Sequence, residues 1–139
     1  MKPVYPARFN NEDEGGFFVQ FIDIPEAMTD GETMEEAELN AREALSGVLG
    51  FRLDNNQEIP VPSIHEGDDI RYIAPDAQVQ AAILIRAQRG SQPLSVLARA
   101  LDTSWPAAKR LEDPHHWPTL KQLDRAAAVM GKRLVLSLE

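Results

Sequence analysis

Cysteine is absent from this chain, which excludes disulfides and thiolate metal sites and fits a reducing compartment. No apolar run approaches the roughly 20 residues that a membrane-spanning helix requires. The first residues, MKPVYPARFNNEDE, lack the apolar segment of a secretory signal, so a cytoplasmic protein without membrane contact is expected. Aromatics are sparse at 6%, and cations are outnumbered, with 14 Lys and Arg against 22 Asp and Glu. What is present, 43% hydrophobic and 26% charged residues over 139 positions, is the composition of a folded globular protein. That length accommodates one ordinary domain or two small ones.

The net charge of −8 hides a division. Residues 1–76 hold 5 Lys and Arg against 17 Asp and Glu, a balance of −12, whereas residues 77–139 hold 9 against 5, a balance of +4. An acidic part repels a phosphate backbone and a basic part can approach one, so the halves should meet partners of opposite charge. Two domains are expected, 1–74 and 75–139.

In the acidic part, VYPARF (4–9) and FFVQFIDI (17–24) have the aromatic and β-branched content of strands. NNEDEGG between them ends in a Gly pair suited to a hairpin turn. Phe17, Val19 and Phe21 alternate with Phe18, Ile22 and Ile24, which predicts a second strand buried on both faces or covered by a partner. Pro25 should stop it, because proline cannot donate to the ladder. Thr33-Met34-Glu35-Glu36 is a capping-box sequence, with hydroxyl and carboxylate each satisfying a backbone donor. Met34, Ala37, Ala41, Ala44, Leu45, Val48 and Leu49 follow at helical spacing. After a proline-extended IPVPS (59–63), IRYIA (70–74) reads as a last strand. Strand, strand, helix and strand imply an α+β unit: a small antiparallel sheet with one packed helix.

YPARF, GGFFVQFIDIPEAMTDGETMEEAELNAREAL and IPVPS also resemble, in order and spacing, the N-terminal domain of HicB-type antitoxins of type II toxin–antitoxin systems. The matching positions are Phe21, Asp23, Ile24 and Pro25, then Gly31, Glu32, Thr33, Glu36 and Ala37, then Ile59, Pro60, Pro62 and Ser63. Ile22 stands where that family often has proline, and Glu26-Ala27 replaces a common Pro-Gly or Glu-Gly, which alters the turn after the second strand. The resemblance implies a partial ribonuclease-H-like fold. It also implies a partner, a HicA-type mRNA-interferase toxin, and an antitoxin that represses its own operon.

In the basic part, Pro75-Asp76 can start a helix over 77–89, which Gly90 ends. PLSVLARAL (93–101) has Pro93 at a tolerated first-turn position, and Asp102-Thr103-Ser104 makes a turn into a third helix from Trp105 to Glu112. Pro114 limits that helix, TLKQLDRAAAVM (119–130) reads as a fourth, and RLVLSL (133–138) as a terminal β-strand. Two short helices joined by a three-residue turn have the dimensions of a helix-turn-helix, whose second helix faces the major groove. Trp105 and Pro106 would then face the groove, Lys109 and Arg110 would reach phosphate or guanine, and Thr103 and Ser104 would donate to phosphate. By pattern alone the alternative is an ordinary helical core, with Trp105 as packing and the cations solvated.

LARALDTSWPAAKRLED followed by PTLKQLDRAAAVMGKRLVLSL is similar to the helix-turn-helix of the Cro/repressor superfamily. The matching points are Leu97-Ala98, Leu101, Ser104, Arg110-Leu111-Glu112, Pro118, Leu120, Ala127 and Met130-Gly131. Asp102 replaces the usual turn glycine, which is feasible because Asp tolerates the left-handed region.

No enzyme, metal or cofactor is expected. His65 stands apart from His115-His116, without a zinc-ligand spacing, and there is no nucleophile elbow or phosphate-cradling loop. A nuclease would need Asp23, Glu36 and Glu43 to converge on Mg²⁺, yet Glu36 is explained by capping and Glu43 by solvation. The expected toxin contacts are Glu12, Asp13, Glu14, Asp23, Asp30 and Glu32, for each of which plain solvation is the alternative. The expected DNA contacts are Thr103, Ser104, Trp105, Pro106, Lys109 and Arg110, on operator duplex. Half-site reading calls for a homodimer, paired through the terminal strand, or a tetramer. A stand-alone repressor with a ligand-sensing N-terminal domain is the second reading.

Overall fold

A computed structural model describes residues 1–139. Strands β1 (Tyr5–Asn11) and β2 (Phe17–Phe21) form an antiparallel hairpin, in register from Ala7↔Phe21 to Asn11↔Phe17. The turn needs its glycines: Gly15 and Gly16 lie at φ +94° and +85°, and a Cβ on Gly16 would sit 2.7 Å from the Gly31 carbonyl. Past Pro25 the chain folds back at once, with Ala27 N donating to Ile24 O and Phe21 N to Ala27 O. That return creates β3 (Met28–Gly31), a strand absent from the sequence expectation, because AMTDG has little β-forming content. With β4 (Ile70–Ile73) added beside β1, the sheet order is β3-β2-β1-β4, every neighbour antiparallel.

Helix α1 (Met34–Asp54) lies across one face of this sheet. Tyr5, Ala7 and Phe9 of β1 and Val19 and Phe21 of β2 meet Ala37, Ala41, Leu45, Leu49 and Leu53, all buried. Within the single chain β2 is buried on one face only, Phe18 and Ile22 being half-buried on the open side, which leaves the second alternative, cover by a partner. Ile24 is fully buried nonetheless, because the turn at Pro25 carries it into the α1 core. Half of the capping box forms, Glu36 N donating to Thr33 Oγ1 at 3.1 Å without the reciprocal bond. The full box occurs at Thr119 and Gln122 instead.

Four helices complete the chain: α2 (Ala77–Arg89), α3 (Leu94–Ala100), α4 (Trp105–Arg110) and α5 (Leu120–Val129). α2 contributes to two cores. Its Val79, Ala82 and Ile83 join the sheet–α1 cluster, while Ile85 joins Leu97, Leu101, Leu111 and Ala126. The architecture is therefore α+β, a small antiparallel sheet with one packed helix and a second helical cluster. Residues 133–138 form no strand in the single chain: Val135, Leu136 and Leu138 stay exposed. A strand needs an edge to pair with, and both edges of the sheet belong to the other part of the molecule.

Candidate functional site

The turn between α3 and α4 is built as its sequence requires. Asp102 takes φ +52°, and Thr103 N closes the turn onto Ala98 O at 2.9 Å. Ser104 caps α4, its Oγ accepting from Ala107 N at 3.2 Å. Ala108, wholly buried, and Leu111 turn one side of α4 inward. The opposite side leaves Trp105, Pro106, Lys109 and Arg110 exposed, next to exposed Thr103 and Ser104. Lys109 Nζ lies 5.1 Å from the centre of the Trp105 ring, a cation–π distance.

This face is held from behind. Arg89 at the end of α2 forms a two-pronged ion pair with Glu112, Nε to Oε2 at 2.5 Å and Nη2 to Oε1 at 2.9 Å. Glu112 in turn raises the guanidinium's pKa above its usual value by accepting these bonds. Arg125 of α5 donates to Leu101 O at 3.1 Å, covering the end of α3. Charge-assisted bonds of this fork geometry fix orientation as well as distance.

The loop after α4 seats the helical part on α1. Pro114 is buried and lies over Gly50. His115 Nε2 meets Asp54 Oδ2 at 2.7 Å, and its backbone N–H donates to Asp113 Oδ1 at 2.8 Å. The Asp54 carboxylate raises the His115 pKa by bonding the imidazolium. Asp54, Asp113 and His115 come within 4.8 Å of one another at the surface, where this ion pair and turn account for all three. The sequence reading missed the pairing, since nothing local links residues 61 positions apart.

The acidic residues sort into two groups. In the first 76 residues each cation has a carboxylate partner: Arg8 with Asp69, Arg42 with Asp76, Arg52 with Glu26, Arg71 with Glu38, and Lys2 with Glu139. Glu12, Asp13, Glu14, Asp30 and Glu32 are exposed without an ion-pair partner, as are Glu35, Glu36, Glu43, Glu58, Glu66 and Asp68, but the first five cluster. They converge because the hairpin turn abuts the end of β3: Phe17 pairs with Gly31, and the Gly16 Cβ position is 3.4 Å from Glu32 Cα. Gly31 itself lies against the Ala37 backbone too closely for any side chain. Glu35 and Glu36 at the start of α1 border this corner, where the helix dipole tolerates negative charge.

Asp23 lies at the far end of β2. Its carboxylate accepts from Ser63 Oγ at 2.6 Å and Ser63 N at 2.9 Å, and Ser63 Oγ is 2.9 Å from His65 Nε2. Beside it Tyr5, donating to Pro60 O at 2.8 Å, has its pKa pushed up to about 12, chiefly by burial and further by Asp23, with Arg52 opposing. Asp23 and IPVPS thus belong to one clamp that ties the 59–65 segment to the sheet. Asp23, Glu36 and Glu43 do not converge: Asp23 and Glu36 stand at opposite ends of the sheet. The 21 residues of α1 span about 31 Å between the acidic corner and the Asp54–His115 contact.

Two surfaces are thus defined, an unneutralised acidic corner and an exposed aromatic–cationic helix face. Residues 4–79 match the family model of HicB-like antitoxins of bacterial toxin–antitoxin systems. The chain is 34% identical over 133 residues to the antitoxin HicB of Escherichia coli strain K12, covering 95% of this chain and 96% of that protein. It is 32% identical over 137 residues to antitoxin HicB 1 of Photorhabdus laumondii, covering 97% and 86%. A solved toxin–antitoxin complex from Streptococcus pneumoniae is similar at 21% identity, covering 75% of this chain and 91% of that one, with a TM-score of 0.47, too loose a likeness to bear on the site. The protein belongs to the HicB-like antitoxin family, a family of antitoxins and not of enzymes. No helix is long and apolar enough to cross a membrane.

Proposed function

We propose that this antitoxin neutralises a small, basic, RNA-cleaving toxin of the HicA type through its acidic corner and represses its own operon through α3 and α4, used as a helix-turn-helix. The observation that carries the first half is the charge pairing. Every lysine and arginine among the first 76 residues is engaged by a carboxylate, and the five corner carboxylates are left unopposed. A protein that binds RNA presents cations, and such a corner competes with RNA for them. Glu12, Asp13, Glu14, Asp30 and Glu32 act directly, and Asp23 contributes by holding the Ser63 segment in place.

Residues 75–139 supply the DNA-facing part, with Thr103, Ser104, Trp105, Pro106, Lys109 and Arg110 on the duplex and residues 1–74 on the toxin. A dimer forms through the exposed Leu134–Leu138 segment, whose apolar side chains gain a strand partner only from a second chain. A tetramer follows if the open sheet face also pairs. A stand-alone repressor with a ligand-sensing N-terminal domain is the second reading; clefts of about 110 and 240 Å³ lie in the helical cluster and not in that domain.

The test is co-expression with the small basic reading frame expected beside the gene, followed by pull-down and growth. Rescue of growth and co-purification are expected. A neighbour that is harmless alone, or that stays toxic and unbound beside this chain, overturns the toxin half.

A further inference from the structure

On α4, side chains four apart share a face, so Trp105 stands in line with Lys109 and Pro106 with Arg110. Each line begins apolar and ends cationic. Trp105 is 48% exposed, and Ala107, the remaining first-turn side chain, lines the 110 Å³ cleft behind. The Ser104 oxygen accepts from Ala107 N, which leaves its hydroxyl hydrogen for a phosphate. The leading turn of α4 itself therefore offers an indole and a pyrrolidine ring, whose one polar group is the indole N–H donor and which carry no acceptor to match a donor–acceptor pattern. The one apolar feature of a base edge in the major groove is the C5 methyl of thymine, while lysine pairs with guanine O6 and N7. Lys109 sits about 6 Å further along the helix than Trp105, close to two base-pair steps.

We propose that Trp105 is the specificity-determining residue of this surface and reads a thymine C5 methyl, with Lys109 moving from the indole face to a guanine about two steps away. The inference rests on α4 being the DNA-reading helix. An indole packed on a methyl excludes water from it, and removal of the Lys109 ammonium from the ring is offset by the bond to guanine.

The full-length protein is used to select duplexes from a synthetic, unmethylated random pool. Each thymine of a selected duplex is then replaced singly by deoxyuridine, which removes one methyl and nothing else. Affinity is expected to fall about four-fold at one thymine per half-site, the value of one buried methyl-sized group. Trp105→Ala is expected to bind both duplexes equally, and Trp105→Phe to retain the preference. Thymine and 5-methylcytosine share this methyl. A second pool carrying 5-methylcytosine throughout that enriches it at the sensitive position, in place of thymine, overturns thymine as the source. Tight duplexes insensitive to every deoxyuridine overturn the methyl contact and leave the DNA-reading helix standing. A pool from which nothing is enriched overturns both.

Discussion

Replacing Glu12, Asp13, Glu14, Asp30 and Glu32 by their amides removes five exposed charges and no buried contact. A carboxylate about 6 Å from a toxin cation contributes about 0.7 kcal/mol in water before screening. At physiological ionic strength, with a Debye length of about 8 Å, screening leaves about 0.3 kcal/mol. Five such pairs sum to about 1.6 kcal/mol, or about fifteen-fold in the rate of encounter. At 1 M salt the Debye length falls to about 3 Å and the same five pairs are worth about two-fold. Stopped-flow mixing of the antitoxin with a catalytically dead toxin measures both rates. The variant is expected to associate about fifteen-fold more slowly at physiological salt and about two-fold more slowly at 1 M salt, with dissociation little changed. A rate equal to the parent's at both salts, or a deficit that salt does not erase, refutes electrostatic capture at this corner.

Lys109→Ala and Arg110→Ala should each weaken operator binding and lower the log–log salt slope by about 0.9 if phosphate is the contact; unchanged affinity and slope in the folded double variant remove α4 from the interface. Glu112→Ala strands Arg89, whose side chain retains 19% exposure, so a loss near the low end for a buried pair is expected, about 3 kcal/mol. On a chain this long that is about 10 °C in thermal melting, and adding Arg89→Met should recover much of it. For His115 the folded pKa is raised by Asp54, so the contact's stabilisation is fully present below the unfolded value near 6.5 and is lost as pH rises through the folded one. Stability of the parent and of His115→Gln, compared by denaturant melts, should differ at pH 5.5 and converge in the alkaline range; a gap that widens with pH contradicts the ion pair.

Local signals were legible in the sequence where one element alone decides them. The hairpin glycines, the Thr33 cap, Pro25 as a stop, and the bounds of α2 follow from residue chemistry within a few positions. β3 was not legible because Met28–Gly31 is made a strand by its neighbour β2, which tertiary pairing imposes over weak propensity. The terminal RLVLSL pattern has the right alternation yet stays unpaired in one chain, since period fixes a face but supplies no partner. Among the site residues, the acidic turn and the Asp30–Glu32 strand end are far apart in sequence and meet through the register Phe17↔Gly31. Asp23 has the same charge as those residues, and only the long-range bond to Ser63 separates its role from theirs.

The two surfaces must not cancel each other, and α1 is what prevents it. Residues 1–76 at −12, joined closely to residues 77–139 at +4, would repel the phosphates that the proposed role has the second part approach. Here five unpaired carboxylates gather at the Met34 end of α1, with Glu43, Glu58, Glu66 and Asp68 exposed elsewhere, while the loop following α4 docks at Asp54, about 31 Å from that corner. That is about four Debye lengths at physiological salt, so the corner's potential where this loop docks is screened to a few per cent of its unscreened value. Near that helix Glu112 is paired by Arg89 and Asp54 by His115, while Asp102 in the turn before it stays exposed. The amide variant of the corner should therefore bind operator with the parent's affinity at 0.15 M salt and gain affinity only near 0.01 M, where the Debye length reaches about 30 Å. A gain of comparable size at both salts would mean that the acidic corner lies close to the duplex, and the separation of roles along α1 would fail.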